Sequence, residues 1–318
     1  KSREYEIEDV FRTYGVLTRE AGFYFYFSRK IRELRESGHE GTARAYASSL
    51  RSMQRYLGKK DFPFIKLSSR IISDYQGKLL ASGICDNTIG FYLHNIKALF
   101  RKGCREMGLE LPCPFRDISI KTEKTLKRSL DPVVIKTLSA IELEKDSPLS
   151  LARDIFMFSF YTRGMSFVDI ALLKKRHVFP GEICYRRHKT DQLMRVGINK
   201  EISRILERYK NVPGEYIFPL FPAERDPYAG YRNAYHRIRY SLGKISRVIG
   251  LEFPLRLHAA RHSWATIAKV NGASVHVIGE CLGHTSEKTT RIYLKELDHS
   301  ALDAVNNQVA DFILAVDD

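Results

Sequence analysis

No apolar run in the sequence approaches the roughly 20 residues that a membrane-spanning helix needs, so a helical membrane protein is excluded. The N-terminus has no basic segment followed by an apolar stretch and a small-residue cleavage site, so no secretory leader is read there. Cysteine is sparse: Cys85, Cys104, Cys113, Cys184 and Cys281 are scattered and never form a C-x-x-C pair. That argues against a disulfide framework or a cysteine-rich zinc site and fits a reducing cytoplasm. A P-loop and a convincing glycine-rich dinucleotide fingerprint are both missing, which speaks against an ATP-driven helicase or ligase. Internal repeats and low-complexity tracts are absent as well.

Acidic residues are the minority among the charges. The 318 residues carry 52 Lys and Arg against 37 Asp and Glu, a formal charge of +15 with a pI near 9.5. Such an excess points to a polyanionic partner, although charge alone does not separate DNA from RNA or a membrane surface. With 44% hydrophobic and 28% charged residues the chain is globular, and its length predicts two domains. Most of the positive excess lies in the first 128 residues. Between the halves runs Cys113-Pro114-Phe115-Arg116 and then a polar, basic stretch from Lys121 to Arg128, which reads as a linker.

The first half has helical periodicity. Thr42 is positioned to cap a helix with Ala45, Tyr46, Leu50, Met53 and Leu57 at three- and four-residue spacing, and Arg44, Arg51 and Arg55 on its other face. A second helix follows Asp86-Asn87-Thr88, with Ile89, Tyr92, Leu93, Ile96 and Phe100 as its apolar stripe and Lys97, Arg101 and Lys102 beside it. One basic helix face is ordinarily just solvated. Two of them in the more basic half point to a module that grips DNA, with Arg44, Arg51, Lys97 and Arg101 as candidate contacts.

In the second half Ser147-Pro148 opens an apolar helix through Ile155, Phe156 and Phe158. Residues 182–187 and 193–198 read as two short strands joined by the polar turn His188 to Gln192. From Leu257 the pattern is helical again, with breaks at Asn271-Gly272 and Gly283-His284. The amphipathic end of the chain either folds back or docks on a neighbouring subunit.

One constellation carries chemistry. His258 and Arg261 lie three apart on a helix and share a face, so both can donate hydrogen bonds to one anion, Arg261 through a bidentate fork. His284 follows a glycine that lets the chain turn sharply, and Tyr293 offers a phenol nine residues later. A phenol has a pKa near 10 and needs neighbouring cations or a proton acceptor to attack phosphorus. Guanidinium and imidazole donors that stabilise charge on phosphate oxygens, beside such a tyrosine, are what phosphodiester transfer requires. Each piece alone is weak; their order and spacing together are informative. His258 and His262 also have the spacing of a helical metal pair, but there is no HExxH and no convincing third ligand. Neither a metal nor another cofactor is expected.

His-x-x-Arg, then Leu-Gly-His, then Tyr nine residues on, closely resembles the signature of the tyrosine recombinase (phage-type integrase) family, on His258, Arg261, His284 and Tyr293 as they stand. The hairpin is similar too: the family has a turn lysine there, and the resemblance makes Lys189 the general acid for the departing 5′ oxygen. It implies a mainly α fold with a small antiparallel β-sheet, divided into a helical, SAM-like core DNA-binding domain (1–115), a linker (116–130), a mixed α+β catalytic domain (131–297) and a tail for protomer docking (298–318). One departure stands out. The family's first arginine sits in a Thr-Gly-(Leu/Met)-Arg-x-Ser-Glu box, and aligning Asp169 with its acidic residue puts Ser166 where the arginine belongs. Arg163 is three residues earlier, about one helical turn away, where its long side chain would reach the same phosphate.

The resemblance thus implies a site-specific DNA recombinase, integrating, excising or inverting a segment through a 3′-phosphotyrosyl intermediate without metal or ATP. Its catalytic set would be Arg163, Lys189, His258, Arg261, His284 and Tyr293. Expected partners are double-stranded DNA carrying specific sites, three further copies of the chain in a tetramer on two duplexes, and accessory DNA-bending proteins. The expected location is the cytoplasm, at the bacterial nucleoid. Two alternatives stay open: a DNA-binding architectural or regulatory protein whose catalytic site has decayed, and an enzyme of the type IB topoisomerase kind.

Overall fold

The aromatic stripe of the helix Phe23–Glu36 (α1) organises the first part of the chain. Phe23, Tyr26 and Phe27 are fully buried and meet Phe64 and Phe100 in one aromatic-rich core. The computed structural model describes residues 22–121, 123, 129–221, 227–284 and 286–294, without the side chains of 227–229, 292 and 293. It divides into two units with their boundary between Thr125 and Leu126.

Among the described residues the first unit has four α-helices: α1, Glu40–Leu57 (α2), Ser69–Ala81 (α3) and Asp86–Glu106 (α4). Gly22 offers α1 no side-chain cap, so Asp61 reaches in instead, accepting from the backbone N–H groups of Tyr24 at 2.8 Å and Phe25 at 2.9 Å. This satisfies amide donors that have no partner within the helix and sets a carboxylate at its positive end. The helix expected to start after Thr42 starts earlier, at Glu40 with His39 as its N-cap; Glu40 places a carboxylate in the positive first turn and accepts from Arg44 Nε at 2.6 Å. Tyr75 donates to Ser52 at 2.6 Å and Asn95 to Ser49 Oγ at 3.0 Å, tying α3 and α4 to α2. The stretch after Phe115 also belongs to this unit: Ile118 and Ile120 pack on its core, and the Asn87 amide brackets the backbone of Glu123.

The second unit is built around Pro148–Tyr161 (α6), which follows Pro132–Ala140 (α5). Ser147 caps α6 by accepting from Ser150 N at 3.1 Å, and Pro148 fills the position where a missing N–H costs nothing. Most of α6 is buried, as a central helix must be, and it packs against Pro227–Val248 (α9) and Leu257–Val270 (α10). Its one buried carboxylate, Asp154, is held by Arg153, Arg208 and the Tyr209 hydroxyl. Val178–Phe179 (β1), Glu182–Arg186 (β2) and Leu193–Gly197 (β3) form an antiparallel sheet in that order, with Tyr185 opposite Met194. The fold is therefore mainly α with a small antiparallel sheet. Short helices Phe167–Ala171 (α7), Lys200–Arg208 (α8), Val275–Leu282 (α11) and Glu287–Tyr293 (α12) complete it. Among the described residues no helix is long and apolar enough to cross a membrane.

Candidate active site

Two close approaches build the site. At the end of α6 the chain enters left-handed conformations at Arg163 (φ 59°) and Gly164 (φ 76°). A side chain at 164 would put its Cβ 2.5 Å from Arg261 Cγ, so α10 runs against the turn at a distance only glycine permits. The Gly164 carbonyl accepts from Arg261 Nη1 at 2.8 Å. Arg261 Nη2 donates to the Leu282 carbonyl at 2.5 Å and meets His284 Nε2 at 3.0 Å. Arg261 is only 5% exposed, so its charge is held by oriented carbonyl dipoles and an imidazole.

The second approach is between α11 and α12. A Cβ at Gly279 would lie 2.9 Å from Thr290 Oγ1, and Thr290 is fully buried. The same hydroxyl contacts His284 Nδ1 at 3.0 Å. Gly283 ends α11 at φ 63°, and the His284 N–H closes the cap onto the Gly279 carbonyl at 2.9 Å. An arginine can only donate, so His284 Nε2 is the acceptor and the ring proton sits on Nδ1, donated to Thr290. Burial first, then Arg261, Arg187 and Lys189, press the His284 pKa down to about 4, so the ring is neutral at pH 7.

The hairpin is fixed over this turn. A Cβ at Gly283 would come within 2.9 Å of Met194 Sδ, and Arg187 Nη1 donates to the Gly283 carbonyl at 2.5 Å. Buried Asp169 accepts from the His188 N–H at 2.8 Å and from Ser166 Oγ at 2.5 Å. Lys189 thus stands in a turn anchored on both sides, and is itself exposed. Burial and the nearby Asp169 carboxylate push the Tyr185 phenol far up, so it stays protonated.

The expected residues are distributed accordingly. Arg261 and His284 touch, Lys189 lies close enough to act on His284, and His258 sits one turn before Arg261, exposed, its ring edge-on to His262 at 4.7 Å. Tyr293 is the last residue of α12, three positions after Thr290; its side chain lies outside the described residues, as do 1–21 and the tail expected at 298–318. Arg163 precedes the Gly164 that touches Arg261, and its guanidinium makes no hydrogen bond or ion pair among the described residues. The segment from Thr162 to Ser166 is a turn rather than a helix, so the expected one-turn spacing between Arg163 and Ser166 does not apply. Ser166 instead caps α7. In the first unit Arg51 and Arg101 are exposed, Lys97 is half-buried, and Arg44 is paired with Glu40. Sequence reasoning missed Gly164, which meets Arg261 from 97 residues away, and the Gly279–Thr290 approach between two helices, and left Arg187 unassigned although it lies two residues before Lys189.

Models of known families match both units: the phage integrase family over residues 129–299 and the phage integrase SAM-like domain over 22–115. The chain belongs to the phage integrase family. A tyrosine recombinase XerC of Shewanella oneidensis is 26% identical over 226 residues, 68% of this chain and 70% of the relative. The Tn1549 transposon integrase in complex with a circular intermediate DNA superposes with a TM-score of 0.65 at 14% identity, over 91% of this chain and 99% of that one. A lambda integrase tetramer bound to a Holliday junction gives 0.62 at 15%, over 94% and 84%. At such identities the structural likeness speaks for the fold. The family membership makes this phage integrase a tyrosine-type site-specific recombinase, favoured over a decayed binding module and over a topoisomerase.

Proposed function

We propose that this recombinase cuts and rejoins DNA through Tyr293. Its phenol passes its proton to His258 as the phenol oxygen attacks a scissile phosphate, forming a 3′-phosphotyrosyl bond, and the 5′ oxygen leaves with a proton from Lys189; the second step returns both protons. The freed 5′ hydroxyl then attacks the phosphotyrosine of a partner duplex, restoring the diester and the phenol. Bond energy is conserved throughout, so neither a nucleotide cofactor nor a metal is called for. Arg261 and His258 donate to the phosphate oxygens as charge develops, and neutral His284 holds the Arg261 guanidinium in place. What carries the reading is the buried Arg261 guanidinium between the Gly164 and Leu282 carbonyls and His284, with the Lys189 turn beside it.

The partners proposed are double-stranded DNA with specific sites, gripped in part by Arg51, Lys97, Arg101 and Arg44, and three further copies on two duplexes, passing through a Holliday junction. The tail at 298–318 is the proposed protomer contact, accessory DNA-bending proteins complete the assembly, and the setting is the cytoplasm beside the nucleoid. The test is a suicide substrate, a nicked duplex bearing the cognate site, run on a denaturing gel. Wild type gives a slow-migrating covalent band and Tyr293→Phe gives none while still binding the DNA. Salt-sensitive binding by wild type without any band would overturn the proposal.

A further inference from the structure

The phosphate in such a reaction gathers a second negative charge as five-coordinate phosphorus forms, and one buried arginine is a small counterweight to it. The family box that should bring a second guanidinium has Ser166 instead, and that hydroxyl is committed to Asp169 and to the N-terminus of α7. Arg163 sits nearby in sequence, yet its guanidinium makes no hydrogen bond or ion pair among the described residues, and its backbone is in a left-handed turn.

Arg187 is placed differently. It closes the neck of the hairpin, its N–H donating to the Gln192 carbonyl at 2.9 Å, two residues before Lys189. Its Nη1 donates to the Gly283 carbonyl, while Arg261 Nη2 donates to the carbonyl of Leu282, the residue before. Two guanidinium groups therefore hold consecutive carbonyls of the turn that presents His284, and successive Cα atoms are only about 3.8 Å apart. We infer that Arg187 is the second guanidinium that grips the scissile phosphate, beside Arg261 and in place of the missing box arginine.

Three further observations support this. The contact to Gly283 uses one of the five N–H groups that a guanidinium carries. Neither Arg187 nor Lys189 is ion-paired with a carboxylate among the described residues, so the cations converging on His284 repel one another until an anion arrives. The charges that act on the half-buried His284 are those of Arg261, Arg187 and Lys189, and Arg163 is not among them.

The inference rests on the tyrosine reading above, and the experiment separates the two. Wild type, Arg187→Ala and Arg163→Gly are compared on the nicked cognate duplex, with adduct rate, DNA affinity and melting temperature read for each. Glycine suits the backbone at 163, so that variant keeps its fold. The expected result is a loss of about 10²–10³-fold in adduct rate for Arg187→Ala, with affinity little changed, and Arg163→Gly close to wild type. A second substrate replaces the scissile phosphate with an uncharged methylphosphonate, on which the deficit of Arg187→Ala should shrink to about tenfold or less. That shrinkage marks a role in charge stabilisation, which a residue merely holding the Gly283 turn would not show.

A normal rate for Arg187→Ala, the large loss falling on Arg163→Gly, or a deficit undiminished on methylphosphonate would each overturn the assignment. A wild-type protein that binds the duplex and forms no adduct would instead remove the tyrosine reading beneath it.

Discussion

Acidifying the protein from pH 7 to pH 4 should unload one interaction in particular, the neutral His284 held between Arg261 and Thr290. In the unfolded chain its imidazole titrates near 6.5, whereas in the folded protein it titrates at about 4. Between those values the unfolded state binds the extra proton, so stability rises with pH across the window and is lost as pH falls from about 6.5 to 4. Taken whole, the gap corresponds to about 3 kcal/mol. The ring is only half-buried, and solvent screening brings the expected contribution to about 1–2 kcal/mol. Urea unfolding at half-unit pH steps, on wild type and on His284→Gln, isolates it, because other groups cancel in the difference between the two curves. The difference should be largest at pH 7 and close most of the way by pH 4. Parallel curves would refute the reasoning, as would an imidazole resonance for His284 titrating near 6.5.

Two other perturbations probe the packing and the DNA face. Gly279→Ala sets a methyl 2.9 Å from Thr290 Oγ1, so the buried Thr290 hydroxyl must shift from its contact with His284; overpacking of this kind costs about 1–3 kcal/mol, and adduct formation should fall by more than the lost stability accounts for. In a titration of DNA affinity against salt, Arg51→Ala and Arg101→Ala should each lower the slope by about 0.9, and Arg44→Ala by less, since Arg44 must first give up Glu40 at 2.6 Å.

Whatever depends on neighbours in the chain was legible from residue order. Ser147-Pro148 announces α6, alternation marks β2 and β3, and the spacing from His258 to Tyr293 points to phosphoryl transfer, because caps, pleats and helix faces are local in origin. Arg44 hints at the limit. The helix starts at Glu40 rather than after Thr42, with the Glu40 carboxylate in its positive first turn and paired to Arg44. Likewise the polar stretch from Lys121 to Arg128 reads as a linker, yet just before it Ile118 and Ile120, two residues apart, pack on the core of the first unit.

The site itself depends on long-range geometry. Gly164 must be bare because Arg261 passes over it from 97 residues away, and Arg187 finds its carbonyl 96 residues on. Proximity in sequence recommended Arg163 for the missing guanidinium on the premise of a continuous helix. A left-handed turn breaks that premise, because three residues no longer correspond to one rise of a helix. The hairpin can supply the charge because its neck is anchored three times, by Asp169, by Gln192 and by Gly283, before it reaches Lys189. A guanidinium on that neck loses little entropy when a phosphate arrives, whereas one on a turn with no side-chain anchor must be ordered at the moment of binding.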